Sequence, residues 1–336
     1  MRINIGASTF SPSPFFYLFL HNSDYLRGLI IDGTRPLFRG TLSKQVVSDI
    51  RAILKHLNIC QRTAILRVLM AKHYVLIKGY PGTGKTETLS SLLRVLARLQ
   101  KKVLVVTHTH SAVDNLLTRL IKCGETRVLR LGSVERIAPE LVDYCFEHRL
   151  NKYCTTNPFS DPSGCIQGWI ENAAVVGCTA LAASGGSGSR HVALTRVRFD
   201  LVLVDEASQL LLPTALGALI CLRSSDGTKC NEPGRFVLVG DPHQLPPLVQ
   251  STKACQAGLD RSLFTHLLDL FERPHRTALD QTPDSRHPSV RNGHVDTHLP
   301  FPTRILPWIS PNRCADSGHN RSASVALETT GIDGLH

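Results

Sequence analysis

The sequence has no long apolar run. The apolar stretch at residues 15–20 is six residues long and follows Pro12 and Pro14. A bilayer span needs about 20 apolar residues, and a secretory leader needs an apolar core of roughly 7–15. The stretch therefore predicts a local hydrophobic segment of a water-soluble protein, with no membrane partner and no secretory signal.

Acidic residues are in the minority. The chain has 27 Asp and Glu against 38 Lys and Arg, which gives a net charge of +11. Residues 273–336 contribute only +1 of this excess, so the first 272 residues carry +10. An excess of this size suits a polyanionic partner, nucleic acid above all, because neutralising phosphates releases counterions. Charge alone leaves a basic solvated surface as the alternative.

The cysteines lack the spacing of a compact zinc site. Ten cysteines are scattered along the chain, and one group, Cys145, His148, Cys154 and Cys165, has the residue types of a metal site. Its spacings match no compact zinc pattern. We therefore favour buried or surface thiols over a metal centre.

Short apolar runs alternate with amphipathic helical patterns between residues 57 and 271. This alternation predicts an α/β fold, a parallel sheet with helices on both faces, whose ligand sites lie at the carboxyl ends of the strands. The segments 158–168 and 183–190 predict surface loops. The strand candidates are Tyr74–Ile77, Val103–Thr107, Val128–Leu131, Ala174–Gly177, Leu201–Val204 and Phe236–Val239.

The segment Gly79–Thr86 fits the phosphate-binding pattern G-x-x-x-x-G-K-[ST]. A strand pattern precedes it and a helical pattern follows it, which is the order that a P-loop requires. Its glycines let backbone N–H groups approach a triphosphate, Lys85 can reach the β- and γ-phosphates, and the Thr86 hydroxyl can ligate Mg²⁺. The segment predicts binding of ATP or GTP, in preference to a chance glycine-rich turn.

Two further strand ends carry polar groups that complement a P-loop. Asp205 and Glu206 follow an apolar strand, which we expect to be a neighbour of the P-loop strand. The first carboxylate would hold magnesium and the second would orient and deprotonate the attacking water. The Gln244 amide, after the Phe236–Val239 run, is suited to sense the γ-phosphate. A helix N-cap by Asp205 and a plain proline-rich loop are the alternatives.

Hydroxyl groups end two more strand candidates. Thr107 and Thr109 follow the Val103 run, and Thr179 follows the Ala174 run. Hydroxyls and a helix N-terminus at strand ends can bind a phosphodiester backbone without reading its bases. A simple helix cap by Ser111 is the alternative.

Taken together, Gln61 and the segments GYPGTGKT, THTHSAVDN, VDEASQ and VGDPHQLPPLV resemble the ordered motifs of superfamily 1B helicases. The amino-acid sequences of these motifs are most similar to those of the helicase/nucleases of eukaryotic DNA replication. RNA helicases of the nonsense-mediated decay type are the nearest alternative. The resemblance runs from about Leu26 to about Phe271.

The resemblance implies a RecA-like P-loop motor domain that couples ATP hydrolysis to movement on single-stranded DNA in replication and repair. It implies a nuclear location, with the mitochondrion as a further site, and ATP and Mg²⁺ as ligands. Asp205 would hold magnesium, Glu206 would be the general base, and Gln244 would couple the γ-phosphate to motion. The implied nucleotide-binding residues are Gln61 at the adenine and Gly79, Pro81, Gly82, Thr83, Gly84, Lys85 and Thr86; those at the single strand are Thr107, Thr109, Thr179 and Pro246.

The chain departs from this family pattern at both ends of the matching segment. Nothing matches the nuclease region with its iron–sulfur cysteines, so no cluster is expected. After Phe271, where a second RecA-like domain with an arginine finger should follow, residues 273–336 hold seven prolines and six histidines without periodicity. We interpret them as an irregular or disordered tail, hypothetically of non-coding or frame-shifted origin.

These patterns predict a division of the chain into four parts. Residues 1–25 are unassigned, 26–56 form a helical stalk remnant, 57–272 form the RecA-like domain and 273–336 form the tail. Because the arginine finger belongs to the second domain, the chain alone is expected to bind ATP, hydrolyse it feebly and unwind nothing. A nucleotide- and strand-binding module without turnover and a P-loop ATPase unrelated to nucleic acid are the alternatives.

Overall fold

The computed structural model describes residues 23–184, 194, 197–222 and 233–272. The expectations for residues 15–20, for 185–190 of the second loop and for the 273–336 tail lie outside this part of the chain. Within it, all six expected strands are present. They are β1 (Tyr74–Lys78), β2 (Val103–Thr107), β3 (Val128–Arg130), β4 (Val175–Thr179), β5 (Leu201–Val204) and β6 (Arg235–Gly240).

The strands form one parallel sheet in the order β1-β6-β5-β2-β4-β3. This confirms the expected α/β class, and the P-loop after β1 makes the sheet a RecA-like P-loop fold. One expectation about strand order is wrong. The strand that precedes Asp205 is β5, and β6 lies between it and β1. Strand order is set by how the crossover helices pack, which the apolar runs do not reveal.

Helices cover both faces of the sheet. Their bounds are α1 (Ser23–Ile30), α2 (Lys44–Leu54), α3 (Ile59–Met70), α4 (Lys85–Arg98), α5 (His110–Lys122), α6 (Phe146–Thr156), α7 (Ser163–Asn172), α8 (Ala180–Ala183), α9 (Leu212–Leu219), α10 (Thr252–Gln256) and α11 (Leu263–Glu272). The expectation of a loop over 158–168 is wrong in its second half. Helix α7 starts at Ser163 because Ile166 and Trp169 pack on the core, which offsets the glycines at 164 and 168.

Two hydrophobic cores lie on opposite faces of the sheet. One contains apolar side chains of α2, α3, α4 and α5, and the other contains those of α1, α7, α8, α9 and α11. Alternate residues of each strand enter opposite cores; in β1, Leu76 lies in one and Val75 and Ile77 lie in the other. Burial on both faces explains the near-continuous apolar runs in the sequence. It also leaves the ends of the strands as the places where polar side chains can collect.

No helix of the described ranges combines the length and the apolar character that crossing a bilayer requires. The longest described helix that follows a strand, α4, has a buried apolar face and an exposed Glu87 in its first turn. It packs on the sheet as an amphipathic helix.

Candidate nucleotide-binding site

The polar segments expected to form a site all follow the carboxyl ends of strands. The P-loop follows β1, Thr107 ends β2, Thr179 ends β4, Asp205 follows β5, and the loop that holds Gln244 follows β6. Because all six strands run in the same direction, these ends share one edge of the sheet. The arrangement brings together residues that lie as far apart in sequence as Gly79 and Gln244.

The backbone of the P-loop requires its glycines. Gly82 and Gly84 have φ of 77° and 76°, in the left-handed region that side chains disfavour. A Cβ on Gly79 would lie 2.8 Å from Cδ of Lys85. The N–H of Gly79 donates to the carbonyl of Gly240 over 3.0 Å. The loop therefore starts as a continuation of the β1–β6 hydrogen-bond ladder. Its glycines then form the turn that leads to the start of α4.

A cavity of about 350 Å³ lies against the P-loop. Its polar lining includes the expected residues Gln61, Gly79, Gly82, Thr83 and Lys85. The further lining residues are Asn58, Cys60, Ala64, Ile77, Lys78, Thr88, Leu89 and Val239.

Three expected nucleotide-binding residues are not part of this lining. Pro81 and Gly84 lie exposed in the loop itself, and half-buried Thr86 lies in the first turn of α4 directly after Lys85. All three are adjacent in sequence to residues that line the cavity.

Gln61 is held at the P-loop by a capping box. Its backbone N–H donates to Oδ1 of Asn58 over 2.9 Å, and its side-chain Oε1 accepts from the N–H of Asn58 over 3.1 Å. The opposite end of the amide, Nε2, lies 2.6 Å from where a Cβ on Gly84 would be. The pattern of an amide three residues after an N-cap Asn was visible in the sequence and explains why Gln61 has a fixed position.

Lys85 and Asp205 meet across the sheet edge. Nζ of Lys85 lies 3.3 Å from Oδ1 of Asp205, although β6 separates their strands. Asp205 is buried, and this burial raises the pKa of its carboxyl above the usual range, while Lys85 and the N–H of Glu206 oppose the rise. The pair places one positive and one negative charge beside the glycine loop.

Glu206 is strained and poorly satisfied. It has a φ of 56°, which is unusual for a residue with a side chain. Its buried Oε2 has no hydrogen-bond partner among the described residues. Burial, and next the charge of Asp205, raise the pKa of the Glu206 carboxyl, against Lys85 and His108, which lower it. A carboxyl with a raised pKa and an unused oxygen is suited to accept a proton.

The residues present fit a magnesium nucleotide. A Cβ at Gly79 or Gly84 would clash with the side chain of Lys85 or Gln61, respectively, so the bare backbone allows these two side chains to lie against the loop. The charge of Lys85 suits a phosphate, while the oxygens of Asp205 and Thr86 are of the hard type that Mg²⁺ prefers. The orphaned Oε2 of Glu206 adds an acceptor at the same edge.

The loops after β5 and β6 are tied to each other. Oε1 of Gln244 accepts from Nε2 of Gln209 over 3.0 Å, and the N–H of Asp241 donates to Oγ of Ser208 over 3.3 Å. Gln209 was not among the expected site residues. Its signal was its place in the VDEASQ segment, four residues after Asp205. Gln244 is thereby positioned by the segment that carries Glu206.

The residues expected at a single strand differ in their accessibility. Thr107 is fully buried and its hydroxyl donates to the carbonyl of Thr109 over 2.7 Å. Thr109 is exposed and caps α5 by accepting from the N–H of Ala112. Thr179 is 8% exposed and pairs in register with Thr107. Pro246 is exposed. Thr109 and Pro246 are thus the more accessible of the four.

A buried arginine supports the start of α5. Arg130 has no exposed surface; its Nε donates to Oδ1 of Asp114 over 2.7 Å, and its guanidinium also contacts the Leu131 carbonyl and Nδ1 of His110. Burial, and next Arg130, lower the pKa of His110. This network was not predicted, because an arginine at the end of a strand is usually exposed to solvent. Asp114, inside the THTHSAVDN segment, was the available signal.

The cysteine and histidine group considered as a metal site does not converge. Cys145 is buried, with Sγ 3.7 Å from the Gly132 carbonyl, whereas Cys154 is exposed and Cys165 half-buried, and all three are free. No group of three or more potential metal ligands occurs in the part of the chain that the structure describes. These three cysteines are free thiols in the structure.

Comparison with known proteins shows which family and which proteins this chain is similar to. A family model described as an AAA domain matches residues 56–167 and 160–252. Three proteins named DNA replication ATP-dependent helicase/nuclease DNA2 are similar: that of Xenopus laevis is 39% identical over 73% of this chain, that of Homo sapiens 37% over 73%, and that of Saccharomyces cerevisiae 34% over 72%. The aligned segment covers 22%, 21% and 14% of these relatives. Among solved structures, the UvsW helicase of bacteriophage T4 aligns with 13% identity and a TM-score of 0.38, over 59% of this chain and 60% of that one.

Proposed function

We propose, from the premise that this chain belongs to the AAA domain family, that it is the ATP-binding motor domain of a DNA helicase/nuclease of DNA replication and repair. The observation that carries the proposal is the ion pair of Lys85 and Asp205, at 3.3 Å, beside a glycine-lined cavity. The names of the relatives support DNA over RNA as the nucleic acid and support a nuclear location. The chain spans about a fifth of the length of the vertebrate relatives, so activity of a whole helicase is part of this proposal.

In this proposal, different residues bind different parts of the nucleotide. The backbone of the P-loop and Lys85 bind the phosphates. The Gln61 amide donates from Nε2 to N7 of adenine, and Oε1, which accepts from the Asn58 N–H, has a second lone pair for the adenine amino group. Thr86 and Asp205 would hold Mg²⁺, which when bound neutralises developing charge on the phosphates.

Glu206 is the general base of the proposed hydrolysis. Its carboxylate accepts the proton of the attacking water, and its raised pKa brings its proton affinity closer to neutrality. Gln244, held by Gln209, faces the same reaction from β6 and reports the presence of the γ-phosphate. The single strand lies along the sheet edge near Thr109, Thr179 and Pro246, with Thr107 supporting the turn at Thr109 from beneath.

The test compares Glu206→Gln with the parent chain. Removing the base should lower the ATP hydrolysis rate of the 336-residue chain by roughly 10²–10⁴ while leaving nucleotide affinity within a few fold. Steady-state phosphate release and titration with a fluorescent ATP analogue measure the two quantities, with and without a single-stranded oligonucleotide. Glu140→Gln, at an exposed surface position, is the matched control and should behave as the parent.

The same measurements separate the alternatives. Equal hydrolysis by Glu206→Gln and the parent, with binding of both ligands, would identify a binding module without turnover. Single strands that fail to bind would leave a P-loop ATPase unrelated to nucleic acid. Equal affinity for DNA and RNA oligonucleotides of one sequence would contradict the DNA assignment, because the two differ at the 2′-hydroxyl.

A further inference from the structure

The rings of Tyr80 and His243 stack between the P-loop and the loop after β6. Their centroids lie 5.9 Å apart and their planes differ by 15°. Tyr80 is half-buried in the P-loop, and His243 is exposed in the loop after β6, directly before Gln244. Neither residue has a role in the proposed hydrolysis. The stack is a side-chain contact between the phosphate loop and the loop that extends to Pro246.

The main chain of each of these two residues is hydrogen-bonded within its own loop. The carbonyl of Tyr80 accepts from Oγ1 of Thr83 over 2.8 Å, which places Tyr80 at the start of the turn that a phosphate would contact. The N–H of His243 donates to Oδ1 of Asp241 over 2.9 Å, and the N–H of Gln244 donates to the Asp241 carbonyl over 3.2 Å. A shift of either loop therefore moves its ring.

The loop beyond His243 presents an exposed surface at the sheet edge. Leu245 is 81% exposed, Leu248 is 88% exposed, and Pro246 lies between them. This loop contains Pro246, one of the proposed contacts with the single strand. It is connected to the carboxylate loop by Gln209 and Ser208, and to the P-loop by the stacked rings and by the Gly79–Gly240 hydrogen bond.

We propose that Tyr80 and His243 are positioning residues whose stack couples nucleotide binding at the P-loop to the affinity of the 243–248 loop for a single strand. This inference rests on the proposed function. Coupling between two sites needs a contact whose strength differs between the free and the bound states. A partly exposed ring pair meets this requirement, because it can shift or separate without opening either hydrophobic core.

The expected size follows from the energetics of aromatic pairs. Such a pair contributes a free energy that corresponds to about twofold to tenfold in an equilibrium constant. The stack can therefore change the ratio of strand affinities with and without nucleotide by about that factor. Larger coupling would have to come from other contacts.

A double-mutant cycle on the full 336-residue chain tests the coupling. The variants Tyr80→Leu, His243→Leu and their combination remove the stack, while Tyr80→Phe and His243→Phe keep two rings. The dissociation constant of a fluorescent oligo-dT is measured at fixed salt, with and without a saturating non-hydrolysable ATP analogue and Mg²⁺. We expect each Leu variant to move the affinity ratio towards one by about twofold to tenfold, the double variant to go no further, and the Phe variants to keep the parental ratio.

Other outcomes overturn the inference. An unchanged ratio in the Leu variants, additive losses in the double variant, or Phe variants that resemble the Leu variants would each contradict a stacking role. A parent chain that binds both ligands with a ratio of one would refute the coupling but leave the proposed function standing. A parent that binds neither ligand refutes the proposed function, and the inference with it. Thermal unfolding of every variant checks that the fold is kept.

Discussion

At the residue scale, the carboxylates after β5 are placed where the fold disfavours their charge. Asp205 is 6% exposed, and its pKa is raised mainly by burial, with Lys85 only partly offsetting this effect. Glu206 next to it has a buried oxygen without a partner among the described residues. Groups of this kind reduce stability and are typical of functional sites.

The raised pKa of Asp205 predicts the effect of Asp205→Asn on stability. A raised pKa means that the folded chain binds this proton more tightly than the unfolded chain, so the parent loses stability as the pH rises from the unfolded pKa through the folded one. Asp205→Asn has no such charge and should increase the free energy of unfolding at pH 7.5 by about 0.5–2 kcal/mol. Urea denaturation between pH 4 and 8 measures this difference.

The pH dependence identifies the cause. The gain from Asp205→Asn should shrink towards acid pH, because there the parental carboxyl is protonated as well. Glu140→Gln, at an exposed position, serves as control and should leave the stability unchanged. A gain that is constant across the pH series would show that the amide stabilises the fold for another reason. A loss at neutral pH would show that the pair with Lys85 outweighs burial.

Single residues of the site were predictable where their chemistry is local. Lys85, Asp205 and Glu206 follow apolar strands in recognisable order, and the structure brings the first two within 3.3 Å. Gln209 and Arg130 were not predicted, because neither occupies a recognised position of a phosphate- or metal-binding pattern and only the fold brings them to Gln244 and Asp114. A glutamine or arginine in isolation carries no signal for a partner that only the sheet brings near.

At the element scale, the P-loop offers two glycines that differ in one respect. Gly82 and Gly84 have nearly the same φ, 77° and 76°. A Cβ on Gly82 would meet no atom of the described residues within 4 Å, whereas a Cβ on Gly84 would lie 2.6 Å from Nε2 of Gln61. Substitution at Gly82 therefore adds backbone strain alone, and substitution at Gly84 adds strain and displaces Gln61.

This difference predicts separate effects of Gly82→Ala and Gly84→Ala. Both should lower the free energy of unfolding by about 1–2 kcal/mol, the cost of a side chain in the left-handed region. Gly84→Ala should in addition reduce the preference for ATP over GTP, because it moves the amide that is proposed to contact adenine. Titration of each variant with both nucleotides measures the preference, and urea denaturation measures stability.

The matched control is Gly82→Ala, which should keep the parental preference for ATP. If both variants lose this preference equally, the conformation of the loop governs base selection and the position of Gln61 does not. If neither loses it, Gln61 does not recognise the base. The two results thus separate the geometry of the loop from the contact that it allows.

Elements were predicted more successfully than their arrangement. The strands were found because burial on both faces makes them apolar throughout, as in β2, where all five residues are buried. The helix caps were not predicted: the cap considered at Ser111 is wrong, because Thr109 caps α5 by accepting from the N–H of Ala112, and Asn58 caps α3. The insertion of β6 between β1 and β5 was not visible, since nothing in an apolar run specifies its neighbour. The start of α7 at Ser163 was hidden by its proline and glycines.

At the scale of the whole molecule, the excess of positive charge predicts how a single strand would bind. Neutralising phosphates on a single strand gives a logarithmic salt slope of about −0.7 for each phosphate contacted. With contacts to about three to five phosphates, affinity for oligo-dT should fall with a slope of roughly −2 to −3.5. Fluorescence anisotropy at a series of salt concentrations measures this slope.

An uncharged peptide nucleic acid of the same base sequence is the control and should show weak binding with little dependence on salt. A flat slope for oligo-dT would show that the net charge of +11 lies away from the bound strand and forms an ordinary solvated surface. A slope of the expected size for both ligands would point to a salt effect on the protein itself.

The pair of Lys85 and Asp205 also bears on which ligands can enter the site. Each charge already has a partner of opposite sign at 3.3 Å, so an incoming ligand must exchange for that partner. Inorganic phosphate alone would pair with Lys85 and leave the buried carboxylate of Asp205 without a partner. A free divalent cation would pair with Asp205 and leave the ammonium group of Lys85 without a partner. A metal–nucleotide complex carries both signs and replaces both partners at once. Under the proposed function, the resting pair would therefore favour a metal–nucleotide complex over either component alone.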